Sequence, residues 1–88
     1  MIMANSKVRQ GIIAIFKKYA SSFSQYGFMP MHSFRADTSK FLALYTKEEI
    51  TAELEQMEQE GLITFPENCV FDAGCIALTP VGKKLIEM

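Results

Sequence analysis

The stretch that decides the fold of this chain reads TKEEITAELEQMEQEGLI, from Thr46 to Ile63. Thr46 and Glu49 form a capping box, in which a hydroxyl and a carboxylate three residues apart satisfy two backbone N–H groups of the first turn. The apolar residues that follow recur at helical spacing, namely Ile50, Leu54 and Met57. Gly61 stands where helices favour a left-handed last residue. The stretch therefore predicts a helix with one face in a core.

Two helices are predicted ahead of this one. The apolar residues of the first lie on one helical face, namely Val8, Ile12, Ile15, Phe16 and Tyr19. Asn5 or Ser6 is available as its cap, and a loop is expected from Ser21 to Gly27. A second helix is expected from about Thr38 to Leu44, with Asp37-Thr38-Ser39 as the capping segment.

A β-hairpin and a last helix are predicted after Gly61. The β-like stretches are 62–65 and 75–79, and turn-forming residues lie between them. Thr79-Pro80 is typical of a cap followed by proline at the first helical position. The apolar residues expected on this last helix are Val81, Leu85 and Ile86.

Length and composition limit the class of protein. The chain has 88 residues, of which 49% are hydrophobic and 22% charged, so we expect one domain, residues 1–88. Its longest apolar stretch, Gly11 to Phe16, is too short to span a bilayer, and no secretory signal is evident at the start. Two cysteines are too few to hold a secreted mini-protein together. We therefore expect a cytoplasmic protein without a membrane partner, in which Cys69 and Cys75 pack as free thiols rather than forming a disulfide.

Two segments resemble winged helix-turn-helix proteins. Ile50 to Ile63 resembles their third helix and the Gly-Leu-Ile that leads into the wing, and Leu78 to Ile86, LTPVGKKLI, resembles the exit from that wing. The general likeness is to PadR- and MarR-like regulators and extends over about 38–86. It implies an α+β fold: a small winged helix with a three-helix bundle, a β-hairpin wing and a short C-terminal helix. It also implies a third helix that enters the major groove of DNA.

The charges of the third helix oppose that mode of DNA binding. Between Thr46 and Gly61 there are six Glu and one Lys, and the wing carries Glu67 and Asp72 without a basic residue. The outward face is expected to hold Glu48, Ala52, Glu55, Gln56 and Gln59. All these carboxylates are expected to be exposed and ordinarily solvated. Because DNA affinity depends on cations that neutralise phosphates, double-stranded DNA is disfavoured as a partner.

The favoured function is a non-enzymatic, regulatory protein–protein interaction module. Its contact residues would be Glu48, Glu55 and Gln59 on the third helix and Tyr26, Phe28 and Met31 in the preceding loop. The alternative is a DNA-binding transcriptional regulator that uses Thr46, Lys47 and Thr51. A third possibility, compatible with either function, is a homodimer that pairs the basic first helix with a neighbour's acidic third helix, because residues 1–40 carry a net charge of +5 and residues 41–88 carry −6.

No residue pattern indicates an enzyme or a ligand-binding protein. His32 is the only histidine and has no neighbouring metal-ligand partner, and the spacing of Cys69 and Cys75 matches no common zinc site. Glycine-rich phosphate loops and nucleophile elbows are missing from the sequence. We therefore expect no catalytic residue, no metal, no cofactor and no small-molecule substrate.

Overall fold

The computed structural model describes residues 6–67, 69 and 74–87, and this part of the chain has an α+β fold. Its helices are α1 (Ser6–Lys18), α2 (Ala20–Tyr26), α3 (Met31–Phe41), α4 (Lys47–Gln59) and α5 (Pro80–Lys83). Its strands are β1 (Met29–Pro30), β2 (Ile63–Thr64) and β3 (Cys75–Leu78). Asn5 and Asp72, used above as a cap and as a wing charge, lie outside the described residues.

The strands form one small antiparallel sheet in the order β1-β3-β2. The predicted hairpin is confirmed as β2 and β3, with Ile63 opposite Leu78, although both strands are shorter than expected. Met29 of β1 pairs with Ile76 on the other side of β3. This strand was not predicted, because two residues that include a proline carry no recognisable strand pattern.

The core lies between the helices and one face of the sheet. The fully buried side chains include Val8, Ile12 and Phe16 of α1, Phe34 of α3, Leu54 and Met57 of α4, and Met29, Ile63 and Ile76 of the sheet. The predicted buried faces of α1 and α4 are thereby confirmed. Within the described residues, every helix is too short or too polar to cross a membrane.

The predicted signals at both ends of α4 are confirmed. The Glu49 N–H donates to Thr46 Oγ1 at 3.1 Å, and the Thr46 N–H donates to Glu49 Oε1 at 3.1 Å. Gly61 has a φ of 79°, in the left-handed region. At the other predicted cap, the Gly82 N–H donates to Thr79 Oγ1 at 3.0 Å, so α5 also begins where expected.

The loop expected from Ser21 to Gly27 is wrong, because this segment forms α2. Only Tyr19, with φ −102° and ψ 23°, interrupts the helical path. The Phe23 side chain is buried in the core and its ring meets that of Phe16 edge-on at 5.6 Å. This anchor holds the additional turns until Gly27, with a φ of 82°, ends them.

The expected position of the second helix, Thr38 to Leu44, is also wrong. The helix begins after Pro30, whose φ of −67° and ψ of 140° make it the cap of α3. Asp37 and Thr38 lie inside this helix and are buried. Asp37 accepts from Lys18 Nζ of α1 at 3.1 Å, and Thr38 Oγ1 donates to the Arg35 carbonyl at 3.0 Å. These bonds satisfy the polar groups that otherwise favour a cap.

The last helix is shorter than its apolar pattern predicted. α5 ends at Lys83, and Val81 is 57% exposed instead of facing the core. Leu85 and Ile86 follow the helix and pack partly buried against the core. Gly82 lies so close to the chain of β2 that a Cβ atom would stand 1.8 Å from the Leu62 carbonyl oxygen, which explains why glycine occupies this position.

Candidate interaction surface around helix α4

The acidic face of α4 consists of Glu48, Glu55 and Gln59, and all three side chains are exposed. Glu48 and Glu55 are separated by two helical turns, about 10.5 Å along the axis, and therefore lie on the same side. Neither carboxylate has an ion pair or hydrogen bond to any residue that the structure describes. The predicted outward orientation of these residues is confirmed.

Two other carboxylates of this region are held by Arg9 of α1. Arg9 Nε donates to Glu53 Oε2 at 2.5 Å, and its two terminal nitrogens bind both oxygens of Glu60 at 2.9 and 2.7 Å. Glu53 is buried, with only 4% of its surface exposed. The expectation that all these carboxylates are exposed is therefore wrong for Glu53, because α1 crosses α4 at this point, whereas Glu60 stays exposed but is paired with Arg9.

These contacts shift the ionisation of both partners. Hydrogen bonds from Arg9 and then from Gln56 lower the pKa of Glu60 to about 2. The bond to Glu60 is also the main reason why the pKa of Arg9 is raised, with a further contribution from Glu53. Arg9 therefore engages the carboxylates on one flank of α4 and offsets one of their two charges, and it makes no contact with Glu48 or Glu55.

A groove of about 760 Å³ lies beside the acidic face, between α3 and the start of α4. Met31, Leu42 and Ile50 supply its apolar part, while Arg35 and Lys47 supply positive charge. None of the described residues that line it carries a carboxylate. A smaller hollow next to it has Lys47, Glu48 and Glu55 in its lining, so regions of opposite charge adjoin at Lys47.

Of the residues named for the alternative DNA contact, Lys47 lines this groove and Thr51 lines the adjoining hollow, while Thr46 lines neither. Thr46 and Lys47 are exposed at the start of α4, and Thr51 is half-buried. Arg35 Nη2 lies 3.5 Å from Thr51 Oγ1. The sequence did not indicate Arg35 as a groove residue, because its position beside α4 depends on the correct start of α3.

The three contact residues predicted in one loop, Tyr26, Phe28 and Met31, do not lie together in the structure. Met31 is the first residue of α3 and lines the groove next to Lys47. Tyr26 is 68% exposed, and its ring lies 6.4 Å from that of Phe28. Tyr26 and Phe28 line neither the groove nor the hollow. Of the loop residues, Met31 is therefore the one brought next to α4.

The two cysteines are joined in a disulfide, with Cα atoms 6.0 Å apart. The expectation of free thiols is wrong, because Cys69 lies within disulfide distance of Cys75, the first residue of β3. His32 is exposed on α3. In the part of the chain that is described, no group of three or more His, Cys, Asp or Glu residues could hold a metal ion.

No protein-family model, curated protein or solved structure matches this chain at a significant level. The residues around α4 form an acidic face that continues, through Lys47, into a basic and partly apolar groove.

Proposed function

We propose that this chain is a winged helix-turn-helix domain. The order of α1, β1, α3, α4, β2 and β3 supports it, as does the sheet in which β3 lies between the other two strands. The short turn from Leu42 to Thr46 joins α3 to α4 as a helix-turn-helix requires. In this proposal α4 is the third helix of the fold, β2 and β3 form the wing, and α2 is an addition between the first helix and its strand.

We further propose that the domain is a non-enzymatic, regulatory protein–protein interaction module. The observation that carries this proposal is the pair of exposed carboxylates at Glu48 and Glu55. Arg9 binds Glu53 and Glu60, and the capping box occupies Glu49, which leaves Glu48, Glu55 and Glu58 for a partner. Of these three, Glu48 and Glu55 share one side of the helix because they are seven residues apart. Complementary charge steers encounter and selects partners, so the fitting partner surface is basic.

The rest of α4 supports this role because it holds the acidic face in place. Ile50, Leu54 and Met57 anchor one side of the helix in the core, and the Arg9 ion pairs fix another. A rigid element spares a partner the cost of ordering a loop. Reversal of exposed charges on such a helix is expected to change binding far more than stability.

The proposed interaction module is tested by immobilising the protein and capturing its binding partners from a lysate of the source cell. The wild type is compared with the double variant Glu48→Lys/Glu55→Lys and with Glu67→Lys/Glu87→Lys, which makes the same change in net charge at exposed positions elsewhere. Nuclease treatment removes capture through nucleic acid. We expect a protein partner that the wild type and the control retain and the α4 variant loses. Equal retention by all three would contradict the proposal.

A second candidate function is DNA binding, and the groove between α3 and α4 favours it. Arg35 and Lys47 line that groove without a carboxylate among its described lining residues. Two cations and the hydroxyls of Thr46 and Thr51 are suited to backbone phosphates. Glu48 and Glu55 adjoin the same groove and would repel the duplex, which is why this function is placed second.

Fluorescence anisotropy of a labelled mixed-sequence duplex at about 50 mM salt tests this candidate, because nonspecific affinity is strongest at low salt. Binding by the wild type that Arg35→Gln/Lys47→Gln weakens at least tenfold would support it. Lys17→Gln/Lys40→Gln is the matched control, since it removes two exposed cations that do not line the groove. Absence of binding at high micromolar protein would retire it.

A further inference from the structure

The outward faces of α1 and α4 are two separate surfaces. Each helix turns its apolar side to the same core, α1 with Val8, Ile12 and Phe16 and α4 with Leu54 and Met57. The two helices also meet directly through Arg9, Glu53 and Glu60. Because the polar side of each helix lies opposite its own buried side, each helix presents its own exposed face to solvent.

The exposed face of α1 is basic. Its exposed residues are Lys7, Gln10, Ala14, Lys17 and Lys18. No acidic residue occurs in α1. Lys18 binds Asp37, but 54% of its side chain remains exposed. The α1 face therefore has the opposite charge to the acidic face of α4.

The same side of the molecule has an apolar depression. Gly11, Ala14, Ile15 and Phe41 line a hollow of about 210 Å³, and Lys18 is also part of its wall. Phe41 is 62% exposed, and Lys18 Nζ lies 5.4 Å from the centre of its ring. An exposed apolar spot on a lysine-bearing helix face, with Lys18 in its wall, is suited to a neighbouring surface that combines carboxylates with small residues. Ala52 lies between Glu48 and Glu55 in the hollow on α4.

We propose that the partner of the acidic α4 face is a second copy of this chain, which docks it on the basic face of α1. This inference rests on the proposed function, in which the α4 face is an interaction surface, and names its occupant. Because the two faces are different, the contact either repeats from molecule to molecule, as a ring or an open chain, or is made twice in a two-fold dimer. A contact between two helix faces is small compared with the roughly 1,600 Å² of a standard stable complex, so association is weak and concentration-dependent.

Sedimentation velocity over a range of protein concentrations, at about 50 and 500 mM salt, measures this association. We expect the wild type to sediment faster as concentration rises at low salt, and its association constant to fall at least tenfold at high salt, where charges on the surface are screened. A wild type that stays monomeric at about 500 μM in low salt would overturn the inference.

Charge reversal identifies the faces. Glu48→Lys/Glu55→Lys makes both faces basic, and Lys7→Glu/Lys17→Glu makes the α1 face acidic like α4, so each double variant should be monomeric. The control Glu67→Lys/Glu87→Lys should associate like the wild type. The quadruple variant, with all four α1 and α4 reversals, has the net charge of the wild type and complementary faces of swapped sign. We expect it to regain association, and a folded quadruple variant that stays monomeric would overturn the inference.

Circular dichroism checks that each variant is folded. Glu48→Gln/Glu55→Gln provides a milder second variant, which should weaken association without introducing like charges. Retained association in both α4 variants would overturn the inference. The proposed function can be judged separately: a monomeric wild type that captures a different protein through Glu48 and Glu55 refutes self-association and leaves the module standing, whereas a monomer that captures nothing refutes both.

Discussion

Arg9 determines which carboxylates in and just after α4 are paired within the fold. From the sequence, Glu53 and Glu60 belong to the same acidic run as Glu48 and Glu55. Arg9 is 44 residues from Glu53 and 51 from Glu60 along the chain, yet binds both. Burial of Glu53 is tolerated because its charge is paired and hydrogen-bonded. The structure thus separates carboxylates that hold α1 on α4 from carboxylates available to a partner.

The Arg9 pair gives a prediction about acid. The pKa of Glu60 is lowered to about 2 in the folded state from an ordinary value of 4.5, so the unfolded chain binds this proton first as pH falls. The stabilisation is present above about pH 4.5 and is lost between about pH 4.5 and 2. We expect the difference in free energy of unfolding between the wild type and Glu60→Gln, measured in urea, to be largest near neutral pH and to shrink in that window.

Glu58→Gln is the control for this experiment, because the Glu58 side chain is exposed and makes no ion pair or hydrogen bond with any residue that the structure describes. Its difference from the wild type should be small throughout. A Glu60→Gln difference that is the same at pH 7 and pH 3 would contradict the assigned role of Arg9.

Gly82 and Gly11 give a matched pair of glycine-to-alanine substitutions. A Cβ at Gly82 would lie 1.8 Å from the Leu62 carbonyl oxygen, which is backbone and cannot step aside, so we expect a loss of about 1–3 kcal/mol. A Cβ at Gly11 would meet the end of the Leu42 side chain at 2.5 Å. Leu42 can shift, and alanine favours the helix by about 1 kcal/mol, so a change below about 1 kcal/mol is expected. Urea unfolding measures both, and equal losses would contradict this explanation.

At the scale of elements, a covalent link joins Cys69 to the start of β3. The Cys69–Cys75 disulfide closes a short loop next to β3, and closure of such a loop restricts the unfolded chain by about 2 kcal/mol. We expect reduction to lower the free energy of unfolding of the wild type by up to that amount. The double variant Cys69→Ala/Cys75→Ala should not respond to the reductant. A wild type equally stable with and without reductant would show that the link does not stabilise the fold.

The elements also differ in how well the sequence predicted them. Both ends of α4 are encoded locally, by the capping box of Thr46 and by Gly61, and its buried and exposed faces followed from spacing alone. α3 was misplaced because Asp37 and Thr38 look like a cap, although in the fold Asp37 binds Lys18 of another helix. The exposure of Glu48 and Glu55 was predictable because the spacing of the apolar residues of α4 defines which side of the helix faces away from the core. The pairing of Glu53, and the position of Arg35 beside α4, depend on contacts between distant segments.

At the scale of the whole molecule, charge is separated across the fold. The opposite net charges of residues 1–40 and 41–88 were readable from the sequence, but the pairing of Arg9 with Glu53 and Glu60 inside the fold was not. The division is incomplete, because Arg35 and Lys47 lie beside the acidic face of α4. The protein-interaction proposal requires that the carboxylates beside α4 determine what binds there. The DNA-binding alternative requires that the cations Arg35 and Lys47 do so.

Reversal of the acidic face makes that balance measurable. If Glu48 and Glu55 are what repel DNA, then Glu48→Lys/Glu55→Lys should join Arg35 and Lys47 in one basic surface and gain nonspecific affinity. At about 50 mM salt we expect its anisotropy titration to show binding at least tenfold tighter than that of the wild type, with a steep decline as salt rises. Glu67→Lys/Glu87→Lys has the same net charge and should gain less, since its new cations lie away from the groove. Equal gains in the two variants would mean that net charge alone governs DNA affinity, and tight binding by the wild type would mean that the groove cations already outweigh the carboxylates.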